Sequence, residues 1–234
     1  RSTPPAPHGA QSQSWAPHAR GDAQRMQTTK KVRVALTGGI ACGKSLFCAL
    51  FEKLGAAVID AAGVPPRLDA PGGKAVGLLA ARFGQTILAP DGGIDRPALA
   101  RIVFADAQAR DDADAILHPF VHAEIRRWLR GPGAAVRAAA IPLLFEAGWD
   151  DGWDAVVCVA AHEETQIERL VRTRGYTETQ ARGRIAAQMP VAEKAARSDY
   201  VVWNDADAET LEKEAGRVYA ALLQRQEGPV LPRP

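Results

Sequence analysis

VRVALTGGIACGKSLF, residues Val32 to Phe47, changes pattern twice within its length. A β-branched run (31–37, KVRVALT) gives way to Gly38, Gly39, Ile40, Ala41, Cys42 and Gly43, six residues with almost no side-chain chemistry. Lys44 and Ser45 follow, and then SLFCALFEKLG, whose apolar residues are spaced as in a helix that ends at Gly55. Strand, bare loop and helix form the context in which Gly-x4-Gly-Lys-Ser binds phosphate. The chemistry demands small residues. Backbone N–H groups must converge on phosphate oxygens, and glycine permits the close approach and the backbone angles. The helix that follows offers its positive end to the same anion. The expected nucleotide site is therefore Gly39, Ile40, Ala41, Cys42, Gly43, Lys44, Ser45 and Leu46. Lys44 is expected to reach the β- and γ-phosphates of a nucleoside triphosphate, and the Ser45 hydroxyl to ligate Mg²⁺.

Outward from the loop, short apolar runs alternate with helical patterns. AAVID (56–60) reads as a second strand and ends on Asp60. AVRAAAIPLLF (135–145), WDAVVCVAA (153–161) and DYVVWN (199–204) supply three more strands. Helical patterns fill 74–130, 163–196 and 207–225. This alternation predicts an α/β fold: a three-layer α/β/α core around a five-stranded parallel sheet. Residues 62–130 exceed what one crossover needs and predict an inserted helical lobe. The charged stretch 163–198 predicts a helical lid, leaving 31–61, 131–162 and 199–225 as the core. A Pro-Pro pair at 65–66 disfavours a helix running through that stretch. In such folds strand ends converge on the ligand crevice. Asp60 can then act on Mg²⁺ through water or take a proton from an attacking hydroxyl; a solvent-facing helix N-cap is the alternative for the same residue.

The whole chain, 234 residues with 29 basic and 27 acidic side chains, carries a net charge of only +2, which gives a nucleic-acid or membrane-surface partner no electrostatic support. No apolar run reaches the roughly 18 residues of a spanning helix. Three scattered cysteines, without metal-ligand spacing, fit a reducing cytoplasm. Residues 1–30 are rich in Pro, Ala, Gln and Ser and read as a disordered extension, with Met26 as a natural start; 226–234 reads as a flexible tail.

Taken in order, the motifs resemble the dephospho-CoA kinase family over about residues 32–222. VALTGGIACGKS is similar to its phosphate loop, and GAAVIDA to the strand that ends in its catalytic Asp, which maps to Asp60. DGGIDRPALARIVFAD with ILHPFV resembles its substrate-lobe signature and carries Arg96 and His118. IPLLFEAG and RIAAQMPVAEKAARSDYVVWN resemble its third strand end and its lid, with Gln188, Lys194, Asp199 and Asn204. The resemblance implies transfer of the ATP γ-phosphoryl group to the ribose 3′-hydroxyl of dephospho-CoA by a monomer or weak homo-oligomer. It implies Asp60 as base and Lys44 as the cation on the transferring phosphate. Asn204 is implied near the adenine, lid arginines over the phosphates, Arg96 on the acceptor, and His118 either there or in packing at a helix turn closed by Pro119.

The chain departs from the family pattern in places. A second acid is Ala62 here, an Arg or His is Pro66 with Arg67 beside it, and a lid Arg is Thr173 between Arg172 and Arg174. Which of those two arginines takes its place is open at this stage. Cys42 stands for a Ser, and a thiol beside loop amides is a candidate for a lowered pKa and oxidation; an inert small residue is the alternative. Asn204, the only Asn, is followed by Asp205 and Ala206, so the Asn-Lys-x-Asp of a GTPase is missing. The remaining alternatives are a nucleoside or nucleoside monophosphate kinase, or a catalytically impaired nucleotide-binding relative.

Overall fold

The computed structural model of the chain describes residues 31–225. The expectations for 1–30, Met26 and 226–234 lie outside the described residues. In chain order, β1 (Val32–Gly38) leads through the phosphate loop into α1 (Lys44–Lys53), and β2 (Ala57–Asp60) into a short 3-10 turn. Four helices follow: α2 (Pro65–Leu68), α3 (Val76–Phe83), α4 (Arg96–Ala105) and α5 (Ala107–Leu129). Then come β3 (Val136–Ala140), β4 (Ala155–Ala160), α6 (Glu163–Arg174), α7 (Glu178–Ala186), α8 (Val191–Ala196), β5 (Tyr200–Trp203) and α9 (Ala208–Gln224).

The five strands form one parallel sheet in the order β2-β3-β1-β4-β5. Helices cover both faces, so the central strands read as unbroken apolar runs; every residue of β4 is buried. On one face α1 and α9 pack through Phe47, Phe51, Leu211, Val218 and Leu222 against Val34, Leu36 and Val157. On the other, Val121, Ile125 and Leu129 of α5 join Ala139 and Val156 of the sheet. Leu79, Ile87 and Leu99 from the 62–130 region belong to that same apolar cluster. Parallel register brings all five C-terminal strand ends to one edge: Asp60 lies opposite Ala140, Gly38 opposite Val159, and Ala160 opposite Trp203. The phosphate loop and Asp60 share that edge.

No helix runs through Pro65 and Pro66; the short α2 begins at them, in first positions where amides have no intrahelical partner anyway. Two local expectations are corrected. Pro119 closes nothing: α5 runs through it for 23 residues, losing one backbone bond while Val121, Ile125 and Leu129 hold the following turns on the sheet. β3 stops at Ala140, short of the apolar run's end, since Pro142 has no amide to continue the ladder and the chain curls into turns up to Gly148.

Candidate active site

The phosphate loop is shaped by what happens to its carbonyls. Gln166 Nε2 donates to the Ile40 carbonyl at 2.6 Å, Arg169 Nη1 to that of Ala41 at 3.2 Å, and Asn204 Nδ2 to that of Cys42 at 2.9 Å. Three consecutive carbonyls are thus bound from α6 and from the residue after β5. Arg169 also donates from Nη2 to the Asn204 carbonyl at 2.7 Å, which ties those two supports together. With its acceptors held by these donors, the loop can offer amides to an anion. Ala41 (φ 59°) and Gly43 (φ 89°) take left-handed conformations, the backbone alternation that makes an anion-binding nest. At Gly43 no side chain fits: a Cβ would stand 2.1 Å from Asn204 Nδ2. A Cβ on Gly38 would meet the Val159 carbonyl oxygen at 2.2 Å. One loop amide is already occupied, since Ile40 N–H donates to Gln188 Oε1 at 2.9 Å.

A cavity of about 440 Å³ lies over this loop. Gly39, Ile40, Ala41, Gly43, Lys44 and Ser45 form its floor, and Arg169, Arg172, Thr173, Arg174 and Gln188 stand along its rim. Both Arg172 and Arg174 line it, so the position held by Thr173 is flanked by cations on the cavity side. Thr173 itself turns back, donating from Oγ1 to the Arg169 carbonyl at 2.6 Å. Leu46 is half exposed and its side chain lies outside the cavity lining. Cys42 is buried beneath the loop, where desolvation pushes its thiol up to about 11. Neighbouring backbone groups and Arg169 pull the other way without prevailing. Of the two readings of Cys42, burial favours the inert small residue over the lowered, oxidisable thiol.

Asp60 is exposed at the end of β2, and its Oδ1 accepts the Ala62 N–H at 3.0 Å, capping the 3-10 turn. Cap and candidate base are therefore one residue. Its relation to Lys44 is visible through Cys48, one turn along α1. Burial pushes that thiol up to about 11, Lys44 opposes the shift, and Asp60 and Glu52 add to it. Both charges therefore act on the Cys48 side chain.

Asn204 is only 7% exposed, with its amide committed to the loop. Through that bond it braces the phosphate loop from beneath. Arg96 opens α4 and pairs with the buried Asp69 at 2.9 Å. Burial raises Asp69 against the lowering effect of Arg96. His118, on α5, sits 3.8 Å from Asp114 and edge-on to Trp149. Neither Arg96 nor His118 lines the loop cavity. Behind the rim, fully buried Lys194 pairs with Glu146 at 2.7 Å and donates to the Pro142 carbonyl at 2.8 Å. Glu146 also accepts the Met189 N–H at 3.0 Å, which fastens the 187–196 segment to the end of β3.

Sequence reading assigned no individual role to Gln166 or Arg169. Their i, i+3 spacing puts both on one helix face, but only the fold shows that this face meets the loop. Among the described residues no group of three or more His, Cys, Asp or Glu could hold a metal ion.

A family model described as dephospho-CoA kinase matches residues 32–210. The chain is 43% identical over 199 residues to the dephospho-CoA kinase of Streptomyces avermitilis, covering 85% of this chain and 97% of that one. It is 43% identical over 190 residues to that of Geobacter sulfurreducens, covering 80% and 96%. Its structure is similar to the crystal structure of TT1252 from Thermus thermophilus, with TM-score 0.71 and 31% identity over 82% of this chain and 98% of that one. The dephospho-CoA kinase from Campylobacter jejuni shares the fold, with TM-score 0.56 and 23% identity over 82% and 97% of the two chains.

Proposed function

The chain belongs to the dephospho-CoA kinase family, and on that premise we propose how its residues carry out ATP-dependent phosphorylation of the ribose 3′-hydroxyl of dephospho-CoA. The carrying observation is the loop with its carbonyls held by Gln166, Arg169 and Asn204, under a rim of three arginines and on the same sheet edge as Asp60. The loop amides and Lys44 bind the β- and γ-phosphates. Asp60 Oδ1, fixed by the Ala62 amide, sets the carboxylate plane, and the second oxygen accepts the proton of the attacking hydroxyl. Lys44 and the rim arginines meet negative charge where it accumulates on the transferring group, and this preorganisation supplies most of the catalysis in reactions of this type.

The donor set fits Mg²⁺: Ser45 offers one exposed hydroxyl, and a magnesium ion keeps most of its water and phosphate ligands. When bound there, with Ser45 as its protein ligand, the ion would neutralise negative charge on the phosphates. Asn204 acts as loop brace. Residues 62–130 serve as the acceptor lobe, with Arg96 held by Asp69, and 163–198 as the lid, in which Arg172 and Arg174 face the phosphates. Among the described residues no helix is long and apolar enough to cross a membrane. The scattered, unpaired cysteines support a cytoplasmic setting, in which we read the chain as a monomer or weak homo-oligomer.

A coupled ADP-release assay tests the reading. Dephospho-CoA should stimulate ADP release with CoA as product, and Asp60→Asn should lose about a hundredfold or more. ATP binding without such stimulation would remove the acceptor assignment and send the search to nucleosides and their monophosphates.

A further inference from the structure

Gln188 lies between α7 and α8, and its carboxamide is engaged at one end only. Its Oε1 accepts the Ile40 N–H at 2.9 Å. Because that partner is a donor, the oxygen must face it, and the NH2 group is turned away with its own hydrogens to give. Among the described residues nothing accepts them. A half-buried carboxamide with one end fixed and the other unused is a donor set in place ahead of its acceptor.

The surroundings of that amide indicate where its acceptor comes from. Gln188 lines the cavity over the loop, together with Ile40, Lys44 and Pro142. On its other flank it borders a cavity lined by Ile185, Pro190, Val191 and Trp203. The carboxylate of that second lining, Glu163, is already paired with Arg182 at 2.9 Å. The loop side, in contrast, is built to receive an anion. The arginines of the same rim are less fixed or already committed. Arg169 is bonded to the Ala41 and Asn204 carbonyls, while Arg172 and Arg174 are exposed.

The segment that carries Gln188 also has a definite side. A Cβ on Gly39 would stand 2.6 Å from Val191 Cγ2 and 2.8 Å from Gln166 Nε2, so this segment lies directly against the loop. Met189 N–H is fastened to Glu146 and Lys194 to the Pro142 carbonyl, both just past β3. β3 stands between β1 and β2, the strand that ends in Asp60. The phosphoryl group on this side of the loop is the terminal one, since it is the one that meets a hydroxyl activated by Asp60. We propose that Gln188 Nε2 donates to the terminal phosphoryl group of the bound triphosphate. It is then the contact by which the site distinguishes the triphosphate it uses from the diphosphate it makes. Transfer removes that partner, while the loop keeps its hold on the phosphates that remain. This rests on ATP being the nucleotide bound over the loop.

Calorimetric titration of the full chain with Mg²⁺ and either ADP or the β,γ-imido analogue of ATP tests this without any acceptor. Gln188→Met is close in size and has no donor. It should weaken the analogue by about 10- to 100-fold, the loss expected of one hydrogen bond to a charged group, and leave ADP within about twofold. Gln188→Glu keeps an acceptor for the Ile40 amide, so the loop stays braced, and it should lose the analogue at least as strongly. Its ratio decides the matter if Gln188→Met binds neither nucleotide. Equal weakening of both nucleotides in both variants, or recovery of the analogue in Gln188→Glu, would reduce Gln188 to a brace and overturn the proposal. Unchanged binding in both variants overturns it as well. A wild-type chain that binds neither nucleotide removes the premise, and the proposal with it. Wild-type binding without turnover of dephospho-CoA removes the acceptor alone, and the two nucleotide titrations still decide the role of Gln188.

Discussion

Gly43 illustrates how tightly single residues are specified around the loop. Its φ of 89° and the 2.1 Å approach of Asn204 leave no room for a methyl group. Gly43→Ala should therefore weaken nucleotide binding by about tenfold or more while leaving a folded chain, measurable by calorimetry with an ATP analogue. Asn204→Ala removes the donor to the Cys42 carbonyl; it should cost about 1–3 kcal/mol of stability and weaken ATP binding in parallel. The glycine pattern itself was legible because backbone angles restrict residue type. The task of Asn204 was not, because an amide looks the same in sequence whether it faces a base or a carbonyl. Cys42 fails for a related reason: proximity to a helix N-terminus can be read from spacing, whereas the burial that prevails over it cannot.

Among the elements, α1 and α9 are joined by an aromatic stack: Phe47 and Phe51 ring centroids are 4.6 Å apart, and Tyr219 meets Phe51 edge-on at 5.8 Å. Phe51→Ala should cost about 3–5 kcal/mol in a denaturant melt, since Phe51 is fully buried and its neighbours are tied to the sheet. Behind the loop cavity, Lys194→Met breaks an ion pair in which only Lys194 is fully buried. It should cost about 1–3 kcal/mol and speed hydrogen exchange at the Met189 amide, because Glu146 loses the partner that holds it in place. Strands and helices were readable from period and composition. Element ends were less so at prolines: Pro65, Pro66 and Pro119 carry the same local veto, and their positions within helices decide whether it applies.

Across the whole molecule, two buried thiols, Cys42 and Cys158, and the half-buried Cys48 give stability an alkaline limit. Burial pushes Cys42 and Cys48 up to about 11 and Cys158 to about 12, from an ordinary value of 9.0. Above pH 9 the unfolded chain releases these protons while the folded chain retains them, so the folded state loses ground as pH rises from 9 toward 11 and 12. Tm should fall over that range, and less steeply in Cys42→Ala; equal slopes would show that the thiol contributes nothing. The sheet order places β1 centrally, and its loop is completed only by residues far along the chain. Gln166, Arg169, Gln188 and Asn204 follow their loop partners by 126, 128, 148 and 162 positions. A growing chain that has just released the Gly-x4-Gly-Lys-Ser segment from the ribosome therefore has the motif without the site. Competence to hold a nucleotide arrives late in synthesis, when the residue after the last strand emerges, so ATP capture reports that the chain has closed.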